Sequence, residues 1–242
     1  MEQYLFITAV GFFATFIGTL GGGGGLLSLP AMLFLGVPIH SAIAANKFSN
    51  TFSSLSSFFV IWKKKEVNAK LAFSLLPFTI VGGILGAICA SILEEHILLY
   101  IALILLIFST ILNNAKGIIQ SFSNKESTLF RPTYIMIGAY DGFFGPGQAI
   151  MLMHSFMSAG FSYVTSIGLS RLQTFASCIM SFLVYLSFGH FDWRVGIALA
   201  IGSIIGAQTA VLLAPKISNL PWKYILTICS ICIIIYLIFK LC

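Results

Sequence analysis

Charge is what this chain most lacks. Of its 242 residues only 8% are Asp, Glu, Lys or Arg, and the acids number seven. Average proteins carry roughly 25% charged residues, so this composition excludes a water-exposed globular domain. The acids lie mostly in polar stretches between apolar ones, with no paired-carboxylate, Ser/His/Asp or metal-ligand spacing, so no catalytic residue, metal or cofactor is assigned. Cysteine is also uninformative: Cys89, Cys178, Cys229, Cys232 and Cys242 all fall in or beside apolar runs. Cys229 and Cys232 have CxxC spacing, yet no second ligand pair completes a metal site, and on a helix the spacing puts two small apolar residues on one face. The net charge of +6 comes from bases in short loops, which is a topology signal and not a nucleic-acid patch.

What is present is apolar length. The chain is 58% hydrophobic with a mean hydropathy of +1.01. Runs of spanning length cover Tyr4 to Leu20, Ala42 to Trp62, Leu71 to Leu93, Ile97 to Leu112, Val164 to Phe188, Val195 to Ala214 and Tyr224 to Phe239. Each approaches the ~20 residues that cross a bilayer as a helix. The fold class expected is therefore an all-α, multi-pass membrane protein whose first partner is the lipid bilayer. The first run follows Met-Glu-Gln without a basic leader or a small-residue cleavage site, so it reads as retained.

Glycine interrupts this pattern twice, at Gly21-Gly22-Gly23-Gly24-Gly25 and at Gly142-Phe143-Phe144-Gly145-Pro146-Gly147. At membrane depth every backbone N–H and C=O needs a partner, so a broken helix survives only where it is packed in protein or lines a polar cavity. A shift of 124 residues aligns the two breaks without a gap, laying Gly18 on Gly142, Gly21 on Gly145, Gly23 on Gly147, Gly36 on Gly160 and Gly82 on Gly206. The chain is thus read as one membrane domain of two repeats, 1–113 and 133–242, joined by a polar connector at 114–132. No Gly-Lys-Ser/Thr follows the glycines, which excludes a nucleotide loop. Gly82, Gly83, Gly86, Gly202 and Gly206 fit close helix packing instead.

Each half would hold one glycine-broken unit and three ordinary spans, giving about eight transmembrane helices. The pieces Leu26 to Leu35 and Ala149 to Ser158 are too short to cross alone and read as half-helices or re-entrant segments. With eight crossings, Met1, the Trp62 to Lys70 loop, the connector, the Gly189 to Arg194 loop and the C-terminus share one face, which carries nine bases against Lys216 and Lys223. The positive-inside rule makes that face cytoplasmic. Ten helices would instead give inverted repeats and an external N-terminus with the same nine-to-two bias, so segment length alone favours eight.

Two cations lie inside the apolar runs, Lys47 and Arg171, and the same shift superimposes them. Such a charge costs about 2.5 to 3.5 kcal/mol at a helix centre on insertion scales. Asn46, Ser49 and Asn50 flank the first, and Ser170, Gln173 and Thr174 the second, so amides and hydroxyls could replace the hydration shell of an anion. Half-helices opening near Leu26 and Ala149 would add N–H groups and the positive ends of their dipoles. The expected binding residues are Lys47, Arg171, Asn46, Asn50, Ser170, Thr174, Gly21, Gly22, Gly23, Gly145, Gly147 and Gln148. Asp141, whose counterpart is Ile17, could cap the next helix, pair with Arg171 or carry a coupling proton. His154 reads as packed, His40, His96 and His190 as interfacial, and Tyr140, Trp62, Trp193 and Trp222 as members of aromatic belts.

The string Gly18-Thr19-Leu20-Gly21-Gly22-Gly23-Gly24-Gly25-Leu26-Leu27-Ser28-Leu29-Pro30, then Leu35-Gly36-Val37-Pro38 and Ala44-Ala45-Asn46-Lys47, resembles the first-repeat signature of the TauE/SafE family of sulfite and organosulfonate exporters. Tyr140-Asp141-Gly142-Phe143-Phe144-Gly145-Pro146-Gly147 is similar to the second-repeat string of a subgroup of that family. The resemblance implies a multi-pass inner-membrane carrier of small sulfur-containing anions. That subgroup usually continues with Thr-Gly, where this chain has Gln148-Ala149, so substrate identity stays open. The function expected is a secondary transporter of sulfite, sulfonate or related small anions, with proton coupling and homo-oligomerisation as open additions. The alternatives are an anion channel or a membrane protein without transport activity.

Overall fold

A computed structural model describes residues 2–21, 24–63, 69–114 and 131–217, with 227, 228, 231 and 235 beyond them. These form α1 (Glu2–Gly21), α2 (Gly25–Phe34), α3 (Ile39–Lys63), α4 (Ala69–Ser91), α5 (Glu95–Asn114), α6 (Arg131–Phe143), α7 (Gln148–Ser158), α8 (Tyr163–Ser187) and α9 (Trp193–Ile217). No strand occurs among the described residues, in keeping with the all-α membrane class. Six of the seven apolar runs coincide with a helix to within a few residues. Of the seventh, Tyr224 to Phe239, residues 227, 228, 231 and 235 are described; Gly22, Gly23, most of the connector, and Cys229, Cys232, Cys242 and Trp222 lie outside the described residues.

Four described helices are long and apolar enough to cross a membrane: 2–20, 71–91, 163–187 and 193–213. α3 has the length but is rich in Ser and Asn. It is a central helix with α8, and Lys47, Ser53, Ser54 and Ser57 are wholly shielded. The outer helices turn apolar side chains outward, among them Leu5, Phe13, Phe73, Leu85, Ile104 and Ile205. A polar inside and an apolar outside is what lipid demands of a bundle.

Packing fixes the direction of each helix. α1 and α9 run parallel, with Gly11 against Leu199 O and Ser203 and Gly202 against Thr8 O and Phe12 N. α6 runs parallel to α4, with Gly82 against Ile135 O and Gly86 against Ala139 O and Phe143 N. A Cβ at these glycines would collide with backbone, so the close approach requires their absence of side chain. α3 and α8 are antiparallel: Phe48 meets Phe182 with ring centres 5.0 Å apart, and Asn50 shares a cavity with Arg171 and Thr174. A shift of 124 residues exchanges the α1–α9 contact with the α6–α4 contact.

The described residues do not confirm eight crossings, and they set the start of α1 at a different end from the one that count assigns. Gln3 Nε2 donates to Leu35 O at 3.5 Å, so α2 ends beside the start of α1. Tyr134 and Ser155 hydroxyls meet at 3.0 Å, so α7 ends beside the start of α6. Both broken units are hairpins that send the chain back, not interrupted helices that carry it on. Tyr163 O–H donates to Leu20 O, which sets the far end of α1 beside the end from which α6 starts. The two halves therefore run in opposite directions, and Gln3 and the 189–194 loop lie at the opposite end from Lys63. This is the inverted arrangement that segment length alone disfavoured. Backbone proximity is the reason: a Cβ on Gly24 would sit 2.9 Å from Ala14 O, so only a bare residue lets the chain fold back so tightly against α1.

Candidate functional site

Both hairpins open onto one buried place. Gly24 precedes α2 and Gly147 precedes α7, neither helix start has a side-chain cap, and both residues line a shared cavity. The starts lie close together: a Cβ on Gly25 would come 3.1 Å from Pro146 Cα. Gly145 and Gly147 hold φ of 104° and 91°, left-handed values that glycine adopts without strain. The first N–H groups of a helix are unpaired and carry a partial positive charge, so two starts aimed at one cavity favour an anion.

The break in α6 exposes carbonyls, and each finds a donor. Tyr185 O–H donates to Gly142 O at 3.1 Å and to Phe143 O at 3.3 Å. Tyr140 O–H donates to Pro146 O at 2.5 Å, and Lys47 Nζ donates to Asp141 O. Tyr140 is thus tied into the hairpin, contrary to the aromatic-belt expectation, because a freed carbonyl in a dry interior costs more than an interfacial hydroxyl gains. Trp62 and Trp193, at helix ends, are 42% and 55% exposed as a belt requires.

Asp141 answers Lys47, not Arg171. Lys47 Nζ stands 2.8 Å from Asp141 Oδ1, with the lysine wholly shielded, and Cys178 Sγ lies 3.4 Å from Asp141 Oδ2. The expected pairing with Arg171 and the expected capping of α7 are both absent. Lys47 and Asp141 sit on α3 and α6, from different halves, and a buried charge is tolerated only with a partner in hydrogen-bond contact. The sequence held a usable signal: Asp141 abuts the second glycine break, and Lys47 is one of only two bases inside the apolar runs.

Arg171 is the remaining cation. It is 7% exposed and lines the cavity, and it makes no ion pair or hydrogen bond with any described residue. Thr174 Oγ donates to Gln148 Oε1 at 3.1 Å, while the shielded Gln148 Nε2 has no partner. An amide donor and a guanidinium, both unspent, therefore face the same space.

The other expected binding residues divide. Asn50, Asp141, Gly145, Gly147, Gln148, Arg171 and Thr174 all line the cavity. Asn46 instead braces it: its Nδ2 donates to Ser28 Oγ at 2.5 Å and its Oδ1 accepts from Asn50 Nδ2 at 2.7 Å. Ser170 is buried with an unpartnered Oγ but lies off the cavity wall. Gly21 closes α1. Thr15, Gly18 and Ala149, outside the expected binding set, also line the cavity. Thr15 lies one turn before Gly18 on α1, a spacing that already placed it on the face of the break.

The cavity measures about 30 Å³, room for one or two waters. Further out, His40 and His190 stack at 4.3 Å with Nε2 on Ala90 O at 3.1 Å and Ser91 O at 3.2 Å, and half-buried His154 meets Ser158 Oγ at 3.3 Å. Among the described residues no group of His, Cys, Asp or Glu could hold a metal.

A family model described as "Sulfite exporter TauE/SafE" matches residues 7–237. The chain is 33% identical over 210 residues to "Probable membrane transporter protein ORF9" of Sinorhizobium sp, covering 85% of this chain and 80% of that one. It is 30% identical over 211 residues to a "Probable membrane transporter protein" of Haemophilus influenzae, covering 82% and 80%. With "Probable membrane transporter protein YdhB" of Bacillus subtilis it shares 27% over 225 residues, covering 90% and 89%. No solved structure matches the chain.

Proposed function

The chain belongs to the sulfite exporter TauE/SafE family, and from that premise we propose that it is a secondary transporter of small anions, sulfur oxyanions first among them. One observation carries the reading: Arg171 is buried at the mouth of two half-helices with no counter-charge among the described residues. A cation kept in the membrane without a partner is costly unless a ligand completes it. The unpartnered Gln148 amide and the uncapped starts of α2 and α7 supply further donors, so every free group at the site suits an acceptor-only guest.

The halves 1–113 and 133–242 act as two repeats around this point. On this reading the hairpins part to admit the anion and rock to release it on the other side. The membrane is the cell membrane, inner where there are two, and the end bearing Lys63 faces the cytoplasm by the positive-inside rule. Asp141 is the acid available for proton coupling.

Anion flux into vesicles reconstituted with the protein tests the reading. Uptake of sulfite, sulfate or methanesulfonate that depends on Arg171 is the expected result. No flux above protein-free vesicles, or flux unchanged in Arg171→Ala, overturns it. Proton coupling fails separately if flux is independent of pH, or if coupling survives Asp141→Asn.

A further inference from the structure

Resting on the anion-transport reading, we propose that Asp141 sets the valence of the transported anion. By cancelling Lys47 it leaves the cavity with the single formal charge of Arg171, so the site takes monovalent oxyanions in preference to divalent ones of the same shape.

Three observations support this. Lys47, Asp141 and Arg171 are the Lys, Arg, Asp and Glu residues buried among the described residues, so the interior sums to one positive charge. Lys47 is also turned away from a guest: its ammonium donates to Asp141 Oδ1 at 2.8 Å and to Asp141 O. The backbone at Gly145 closes over it, where a Cβ would stand 2.5 Å from Nζ. The site then adds affinity without adding charge. Thr174 holds Gln148 Oε1 at 3.1 Å and leaves Nε2 unpartnered, a neutral donor in line with a cavity that Arg171 shares. The starts of α2 and α7 attract any anion, but their partial charges are spread over N–H groups and fade within a turn. A second formal charge on the guest would sit in a dry interior with no formal counter-charge.

Methanesulfonate and sulfate are suitable probes, because both are tetrahedral sulfur oxyanions and they differ by one charge at neutral pH. Competition for binding and flux is measured with the full-length protein in vesicles. Wild-type protein is expected to favour methanesulfonate by on the order of tenfold or more. Asp141→Asn, which frees Lys47 and raises the site to two charges, is expected to shift the ratio toward sulfate by a similar factor. The double variant Lys47→Met/Asp141→Leu restores one charge and is expected to keep the wild-type order among whatever it still binds, which decides the matter should Asp141→Asn not fold. Sulfate preferred by wild type, an unchanged ratio in folded Asp141→Asn, or a double variant that favours sulfate overturns the valence assignment. Binding of neither anion overturns the transport reading itself.

Discussion

The two halves place a cation at the same point, Lys47 in α3 and Arg171 in α8, and then treat it differently. Lys47 is wholly shielded and bound to both the carboxylate and the carbonyl of Asp141. Arg171 is buried to a similar degree but meets no acid among the described residues. The difference traces to one position, since Asp141 in the second half is matched by Ile17 in the first. One cation thus ties α3 to α6, and on the proposed reading the other is left for a guest. In a membrane, where hydrophobic burial does not drive helix association, such a lock has a structural purpose of its own.

Breaking the free member should have the largest functional effect. Arg171→Ala is expected to lower anion flux by about a hundredfold or more, the consequence of deleting a desolvated charge that faces the ligand, while thermal stability in detergent changes little. Arg171→Lys should recover part of that flux, because a point charge remains but the planar fork of donors does not.

Breaking the locked member should do the reverse, costing stability before activity. Lys47→Met strands the Asp141 carboxylate and is expected to destabilise the protein by about 3 to 5 kcal/mol, read as a drop in the unfolding midpoint. Lys47→Met/Asp141→Leu should recover most of that loss, since removing both charges leaves none uncompensated. A double variant no more stable than the single one would show that the pair is not what holds α3 to α6.

Two smaller changes sharpen the contrast between the hairpins. Gly145→Ala puts a Cβ 2.5 Å from Lys47 Nζ at a φ of 104°, and is expected to cost about 1 to 3 kcal/mol while weakening the lock. Asn46→Ala removes the bond to Ser28 that ties α3 to α2, with an expected loss of about 1 kcal/mol and only a several-fold drop in flux. Equal effects of Asn46→Ala and Arg171→Ala on flux would mean that bracing, not charge, governs the site.

The glycine breaks, the two interior cations and the length of α3, α4, α8 and α9 were legible in the chain because each is a local property: hydropathy, backbone freedom and charge are read residue by residue. Gln148 and Thr174 were found the same way, through their nearness to a break or a cation. The Lys47–Asp141 pair was harder, because its members lie 94 residues apart and nothing in the spacing selects Lys47 over Arg171. The direction of the hairpins was illegible. A ten-residue helix after a glycine run reads equally well as continuing or returning, and charge counts give the same bias either way.

By itself the sequence determined the solvent, the helices and the inventory of polar groups, because transfer energies and backbone preferences act on each residue where it stands. Only the tertiary structure decided which way α2 and α7 turn, which cation meets Asp141, and therefore which one is left over. Those outcomes depend on helix packing across the two halves, where the presence or absence of a Cβ at Gly24, Gly82 or Gly145 sets how closely distant segments can approach.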